Sequence, residues 1–210
     1  MRWFRALLMV LPLVGAARAE DIVDVLRRSQ QQRLEAQPVA DPDGPRAALL
    51  RRSFAALVAA QPGLPPVDLR VIRGPVLAET VHGHVVLANE SLADLSEGER
   101  CFVLAHELGH VMQRHWLQMA LVYQQWIPGE VTPERTDPVA GALGRDASAL
   151  AHRQEFEADA FAITLLKRAG QDPSIAPQAF MHLGLTQDTA THPGTRKRVA
   201  SLRAALADAP

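Results

Sequence analysis

The sequence predicts an α+β fold that is predominantly helical, with a small antiparallel sheet beside one helix. Apolar residues recur at helical spacing in the stretches before residue 62 and after residue 96, whereas residues 67–89 alternate with the period of strands. The chain has 210 residues, 48% of them hydrophobic, which is ample for one packed domain and thin for two. We therefore expect the helices and the sheet to share one core.

The first 19 residues are typical of a cleaved secretory signal peptide. A basic start at residues 1–5 precedes an apolar run at 6–14, and Ala17-Arg18-Ala19 has the small-x-small pattern of a cleavage site. The alternative is a retained membrane anchor, for which the apolar run is short. No cysteine follows the run, which argues against a lipid anchor. We expect a mature chain that begins near Glu20 in the periplasm, with secretion as the other possible destination.

Charge and composition exclude several classes of partner. Lys and Arg total 22 and Asp and Glu total 23, so there is no basic excess of the kind that a nucleic-acid surface requires. Beyond the first residues, no apolar run approaches the roughly 20 residues that span a bilayer, so no transmembrane segment is expected in the mature chain. Cys101 is the single cysteine, and its apolar neighbours predict a small buried side chain.

Residues 20–64 are expected to form N-terminal helices that pack onto the rest of the chain. The first spans about residues 21–37. The second begins at Pro45, since proline suits a first helical turn, and it ends at the breaker Gln61-Pro62-Gly63.

Residues 65–210 are expected to form the principal domain, beginning with the sheet. Strand patterns cover residues 67–73, 76–81 and 84–89, and His82-Gly83 marks a turn that we expect to be solvated. Neighbouring strands this close along the chain are expected to pair antiparallel.

The second half of this domain is expected to be helical. Ser96 and Glu99 form a capping-box signature directly before an apolar run, which predicts a helix from about 97 to 116. Prolines and glycines predict a loop or mobile lid over residues 122–145. A long helix is then expected over 147–168, with Gly170 as its stop, followed by shorter helices over 173–183 and 194–207.

The helix over 97–116 carries His106, Glu107 and His110. Histidines four apart lie on one helical face, so both imidazoles reach a single ion at the distance of about 2.0–2.1 Å that Zn²⁺ prefers. Glu107 is placed to act as a general base toward water at that ion. The alternative is three polar residues on a solvated face. His115, five residues beyond His110, is expected to turn away from the pair.

A catalytic zinc needs a third protein ligand, and the helix over 147–168 offers two carboxylates on one face. Glu155 is expected to bind the ion, and Asp159 is expected to accept the free N–H of a ligand histidine. Glu157 is rotated to the opposite side. The alternative is that these are ordinary surface acids. We expect one zinc ion per chain.

Several segments together resemble metallopeptidase family 48, the group that contains HtpX, the CAAX prenyl proteases and the soluble periplasmic BepA-type proteases. The resemblance spans about residues 65–205, and the matching segments are Leu104–Val111, Arg153–Asp159, Gly170–Pro173, and Thr191-His192-Pro193 with Arg198. It implies a zincin-like fold, zinc bound by His106, His110 and Glu155, and Glu107 as general base. It also implies that His192 lies near the metal, where it either fills the fourth zinc position in a latent state or stabilises an oxyanion. Arg198 is expected to pair with a carboxylate near the site or to be solvated.

The chain also departs from the family pattern. The membrane-embedded branches carry transmembrane helices, and BepA-type proteins carry C-terminal helical repeats; we expect neither here. The resemblance therefore indicates the soluble BepA-like branch without the repeats.

The expected function is zinc-dependent hydrolysis of internal peptide bonds in proteins of the cell envelope or outer membrane, such as damaged or unassembled ones. An extended substrate is expected to add along a sheet edge at residues 84–89. One alternative is a latent protease that acts mainly as a chaperone-like binding factor. Another is a hydrolase of non-peptide substrates that uses the same zinc site.

Overall fold

The computed structural model describes residues 20–184 and 186–207, so the predicted signal peptide over residues 1–19 lies outside the described part. The predominantly helical α+β fold is confirmed. Eight α-helices are described: α1 (Ile22–Glu35), α2 (Pro45–Ala60), α3 (Glu97–Met112), α4 (His115–Trp126), α5 (Pro133–Thr136), α6 (Ala140–Arg168), α7 (Ala176–Leu183) and α8 (Thr195–Ala207). Short 3₁₀ turns cover Glu90–Asp94 and Pro173–Ile175. None of these helices combines the length and the apolarity that crossing a bilayer would require.

The sheet has three strands, β1 (Asp68–Ile72), β2 (Ala78–Val81) and β3 (Val85–Asn89), arranged in the order β1-β3-β2. Strand β3 pairs antiparallel with β2 and parallel with β1. The sheet is therefore mixed, and the prediction that it is antiparallel throughout is wrong for β1. Alternation of side chains is the same in both kinds of pair, so the sequence pattern does not distinguish them.

The connection between β1 and β2 explains this topology. Residues 73–77 lead from β1 to β2 and leave room for one strand between them. The turn at His82 and Gly83, with φ of 54° and 72°, then reverses the chain so that β3 lies between β1 and β2. The side-chain amide of Asn89 holds the connection by donating to the carbonyls of Gly74 at 2.8 Å and Val76 at 2.9 Å. Because β3 is central, the prediction that residues 84–89 form a free edge is wrong. Strand β2 is the edge on that side.

The two faces of the sheet are covered by different helices. On one face, Val86 and Ala88 belong to the main core with α2, α3, α6 and the C-terminal helices, in which Leu104 and Leu108 of α3 are 0% exposed. On the other face, Leu34 of α1 is the helical residue in the cluster that the strands form: Ile72, Val81, Val85 and Leu87. Cys101 is buried in the main core, as predicted.

Most of the predicted loop over 122–145 is helical. Helix α4 continues to Trp126 and α6 begins at Ala140, so Gly141 and Gly144 lie inside a helix. Glycine costs a helix about 1 kcal/mol relative to alanine, and apolar burial offsets that cost here. The buried cluster that ties this region to α1 consists of Ile22, Ile127 and Leu143.

The helix that carries the histidine pair ends at Met112, whereas the sequence predicted that it continues to Trp116. Arg114 has a left-handed backbone conformation with φ of 56°, which breaks the helix and starts α4 at His115 in a new direction. Residues after this break no longer follow the 100° rotation per residue of α3.

Gly109 allows α3 and α6 to lie unusually close. A Cβ atom at this position would lie 3.0 Å from the Cα atom of Ala158 and 3.2 Å from its carbonyl oxygen. Any larger residue would push the two helix backbones apart. The glycine between His106 and His110 therefore brings their helix against the segment of α6 that carries Glu155.

Candidate active site

Helix α3 carries the histidine pair. A capping box fixes where this helix begins, and most of its residues are buried. Its capping box is complete, because the backbone N–H of Glu99 donates to Ser96 Oγ at 3.4 Å and that of Ser96 donates to Glu99 Oε2 at 3.0 Å. Further along the helix, His106 and Glu107 are buried and His110 is half-buried. The three polar side chains are therefore not on a solvated face.

His106, His110 and Glu155 converge on one point. The Nε2 atoms of the two histidines are 3.1 Å apart, and carboxylate oxygens of Glu155 lie 3.6 Å from His106 Nε2 and 3.4 Å from His110 Nε2. Ligand atoms at zinc distances in a tetrahedral arrangement are about 3.3 Å from one another. These three residues are also the one group in the described part of the chain with metal-binding spacing.

The donor atoms suit zinc chemically as well as geometrically. Two imidazoles and one carboxylate form a known ligand set of catalytic zinc sites, which leaves one position open. Glu155 Oε2 is buried and forms no well-aligned hydrogen bond within the described residues, although Nη1 of Arg198 lies 2.8 Å away. A cation among the three donors would satisfy this oxygen and the facing nitrogens, so the residues present fit the ion.

Asp159 contacts the first histidine of the pair. Its Oδ1 lies 3.0 Å from His106 Nδ1, and the residue is 1% exposed. When His106 donates its Nδ1–H to this carboxylate, Nε2 carries the free lone pair and faces the other two donors. The pairing predicted between Asp159 and a ligand histidine is therefore present in the geometry.

Arg198 of α8 joins the two carboxylates. Its Nε and Nη2 atoms donate to both oxygens of Asp159 at 2.9 and 2.6 Å, and Nη1 lies 2.8 Å from Glu155 Oε2. The guanidinium also stacks 4.6 Å from the ring centroid of Phe180. Of the two alternatives that the sequence left open for Arg198, the structure has the paired one.

These charges shift one another's titration. Burial raises the pKa of Asp159, but hydrogen bonds from Arg198 and His106 outweigh it and hold the pKa below its ordinary value. Burial likewise opposes ionisation of Glu155, and the neighbouring His106, His110 and Arg198 lower its pKa nonetheless. Burial and Arg198 lower the pKa of His106, but the contacts with Asp159 and Glu155 raise it overall. Both carboxylates are therefore ionised at neutral pH.

Glu107 points toward the cleft between α3 and β2. The hydroxyl of Thr80 lies 2.7 Å from Glu107 Oε2 and fixes the carboxylate against the edge strand. A cavity of about 300 Å³ opens beside it. The residues that line this cavity include the three converging donors, Glu107, Thr80 and His192.

His192 lies at the open side of the group. Its Nε2 is 3.7 Å from Glu155 Oε1, its side chain is 59% exposed, and its Nδ1 lies 2.8 Å from the hydroxyl of Thr191. Burial of part of the ring lowers the pKa of His192, with Glu155 acting in the opposite direction. The structure thus brings all seven residues singled out in the sequence into one cluster: His106, Glu107, His110, Glu155, Asp159, His192 and Arg198.

Sequence reasoning missed His115, and the prediction that it turns away from the histidine pair is wrong. The break at Arg114 swings the ring back, so that His115 Nδ1 lies 2.9 Å from His110 Nδ1. Burial first, and then the charges of His110 and His106, lower the pKa of His115 to about 3, so the ring is neutral at pH 7. No periodic signal identifies it, because the contact depends on a single left-handed residue.

Two further contacts were not foreseen. The strand pattern over residues 76–81 gives Thr80 no special role, and its hydroxyl reaches Glu107 only because β2 is the edge strand beside α3. Glu157, which the sequence places on roughly the opposite side of α6 from Glu155, lies with its Oε2 atom 3.3 Å from His115 Nε2.

Comparison with known proteins gives a consistent family assignment. The model of Peptidase family M48 matches residues 78–206, more than half of the chain. The chain is 30% identical over 119 residues to the mitochondrial metalloendopeptidase OMA1 of Arabidopsis thaliana, covering 49% of this chain and 23% of that protein. It is 33% identical over 105 residues to the beta-barrel assembly-enhancing protease of Yersinia pestis, covering 42% of this chain and 21% of that protein. The chain thus spans less than a quarter of the length of these relatives.

Proposed function

Because this chain belongs to peptidase family M48, a family of metallopeptidases, we propose that it is a zinc-dependent endopeptidase that hydrolyses internal peptide bonds of proteins. The observation that carries this proposal is the convergence of His106, His110 and Glu155 beside Glu107 in an open cleft. Two imidazoles, one carboxylate and an adjacent second carboxylate are the components of metal-assisted peptide hydrolysis.

Different residues of the chain have different roles in the proposed hydrolysis. When bound by the three donors, zinc supplies a Lewis acid that acidifies water and polarises a carbonyl group. Glu107, oriented by Thr80, accepts the proton of the attacking water and returns it to the nitrogen of the leaving amine. Asp159 and Arg198 keep His106 and Glu155 in position.

His192 is proposed to act on the substrate oxygen. Its ring lies beside Glu155 but outside the group of three converging donors, and more than half of the side chain is accessible from the cleft. An N–H at this position can donate to the oxygen on which negative charge develops during attack.

Strand β2 is proposed to bind the substrate backbone. The N–H of Asn89 donates to the carbonyl of Leu77 at 2.7 Å, so the backbone groups of Leu77 and, by alternation, Glu79 face β3. Those of Ala78 and Thr80 then face the free edge, directly beside the cavity that Glu107 lines. An extended peptide that pairs with this edge would be held by its backbone, which favours unfolded segments of many sequences.

The proposed location is the periplasm, and the proposed substrates are damaged or unassembled proteins of the envelope or outer membrane. The signal-peptide pattern over residues 1–19 supports export. One matched relative is by name a beta-barrel assembly-enhancing protease, which is compatible with envelope substrates.

Metal content tests the proposed zinc site. The wild-type chain is expected to hold one zinc ion and to lose casein cleavage on chelation. Glu155→Ala is expected to weaken zinc binding by at least about 100-fold, since loss of an outer partner alone costs about 10–100-fold. Metal analysis measures the zinc content, and competition with a chromogenic chelator measures the zinc affinity. The matched control is Glu134→Ala, because Glu134 is exposed on α5. Unchanged zinc affinity in Glu155→Ala would contradict the ligand assignment.

The alternative is a latent protease that acts mainly as a chaperone-like binding factor, with His192 blocking the metal. Cleavage of unfolded casein by His192→Ala separates the two. If His192 assists the substrate oxygen, the variant loses about 100-fold in kcat with zinc affinity retained. A rise in cleavage would instead support the latent form. His84→Ala is the control, since His84 is exposed at the β2–β3 turn.

A further inference from the structure

We propose that His115 is a positioning residue for the zinc ligand His110. In this proposal His115 contacts His110 through one ring nitrogen and faces the carboxylate of Glu157 with the other. The inference deepens the proposed function and rests on the zinc site proposed for that function. The series His110, His115 and Glu157 would orient the second ligand histidine, separately from the contact between Asp159 and His106.

The contact is between the two Nδ1 atoms. His110 directs Nε2 toward His106 and Glu155, which leaves Nδ1 on the opposite side of its ring. This Nδ1 lies 2.9 Å from Nδ1 of His115, and the rings meet edge to face with centroids 4.9 Å apart. Two imidazole nitrogens at this distance share one proton in a hydrogen bond.

The direction of that hydrogen bond follows from ligation. A histidine that binds a metal through Nε2 carries its hydrogen on Nδ1, so His110 is the donor and His115 the acceptor. The hydrogen of His115 is then on Nε2. That atom is buried, forms no well-aligned hydrogen bond within the described residues, and has the carboxylate oxygen Oε2 of Glu157 at a distance of 3.3 Å.

The surroundings fix His115 in this orientation. The residue is 3% exposed, so water does not replace it as an acceptor for His110. Its backbone carbonyl accepts a hydrogen bond from the side-chain amide of Gln154 at 3.1 Å, which ties the start of α4 to α6. The left-handed Arg114 directly before it provides the change of direction that the contact requires.

The two ligand histidines therefore have different partners. His106 has a buried carboxylate, whereas His110 has a neutral ring whose far side meets the partly exposed carboxylate of Glu157. A partner of this kind orients the ligand ring and fixes its tautomer without placing a third buried negative charge next to Glu155 and Asp159.

Zinc affinity of the folded chain tests the inference. His115→Ala is expected to weaken zinc binding by about 10–100-fold in competition with a chromogenic chelator. His115→Asn is expected to recover most of this loss, because its amide oxygen lies near the position of Nδ1 and accepts from His110. Glu157→Gln is expected to weaken binding by less than about 10-fold, the lower end of the range expected for loss of the ring itself. His84→Ala is the control and is expected to bind zinc as the wild type does.

Cobalt substitution adds a readout that a purely structural role would not change. The visible ligand-field bands of the Co²⁺-loaded protein are expected to shift in His115→Ala and to return in His115→Asn. Wild-type affinity and spectrum in His115→Ala, or no recovery in His115→Asn, would overturn the inference. If His115→Ala does not fold, unchanged affinity in Glu157→Gln together with full loss in His115→Asn would overturn it equally. A wild-type chain that binds no zinc would instead remove the proposed function on which the inference rests.

Discussion

Glu107→Gln is expected to lower kcat for cleavage of unfolded casein by about 10²–10⁴-fold, the range that general acid–base catalysis contributes. The amide has the shape of the carboxylate but accepts no proton from water. The hydroxyl of Thr80, 2.7 Å from Oε2 in the wild type, can still donate to the amide oxygen, so the local structure is preserved. Zinc affinity is expected to remain within a few-fold of the wild type, since Glu107 is not among the converging donors.

The matched control for this change is Glu97→Gln. Glu97 lies in the first turn of the same helix and is exposed, so the same chemical change is made away from the cleft. Initial rates are compared at equal zinc content for the wild type and both variants. Undiminished cleavage by Glu107→Gln would refute the peptidase mechanism, whereas an equal loss in Glu97→Gln would indicate a general effect on α3.

Arg198→Met is expected to lower the free energy of unfolding of the metal-free chain by about 3–5 kcal/mol, the cost of removing one partner from a buried ion pair. The Arg198 side chain is 12% exposed and contacts the carboxylates of both Glu155 and Asp159. Without the guanidinium, two buried negative charges lie next to each other with only His106 and His110 to neutralise them. Urea unfolding followed by circular dichroism measures the loss.

Two comparisons make the Arg198 prediction specific. Arg196→Met alters an exposed arginine two residues earlier on α8 and is expected to be nearly neutral. Arg198→Lys keeps the charge but not the two-pronged contact with Asp159, so an intermediate loss is expected. Because the folded-state pKa of Asp159 is depressed, its contribution is present at neutral pH and is lost as the pH falls through that pKa. The difference in the free energy of unfolding between the wild type and Arg198→Met should therefore become smaller at acidic pH. A loss below about 1 kcal/mol at pH 7 would contradict the prediction, because it would equal that of an exposed ion pair.

The helical part of the fold was predictable because its signals are local. The capping box at Ser96 and Glu99 started α3 where expected, and Gly170 follows the end of α6 by two residues. The exceptions lie where tertiary burial overrides composition. Gly141 and Gly144 suggested a loop, but Leu143 between them is buried against Ile22 and Ile127, and the segment is helical.

For the sheet, the sequence predicted the strands but not how they pair. Its three strands were located from alternation, but alternation carries no information on pairing direction. Only the path of residues 73–77 decides that β3 lies between β1 and β2. This in turn moves the free edge from β3 to β2, and with it the proposed substrate strand.

By itself the sequence determined the residues that share a helical face: His106 with His110, and Glu155 with Asp159. The physical reason is that spacing within one helix is set by a rotation of 100° per residue, whatever the rest of the chain does. Contacts between elements were decided only by the tertiary structure. The left-handed backbone at Arg114 turns His115 onto His110, the close approach at Gly109 brings α3 against α6, and the path to α8 places Arg198 between two buried carboxylates. Each of these depends on how separate elements pack, which no local periodicity encodes.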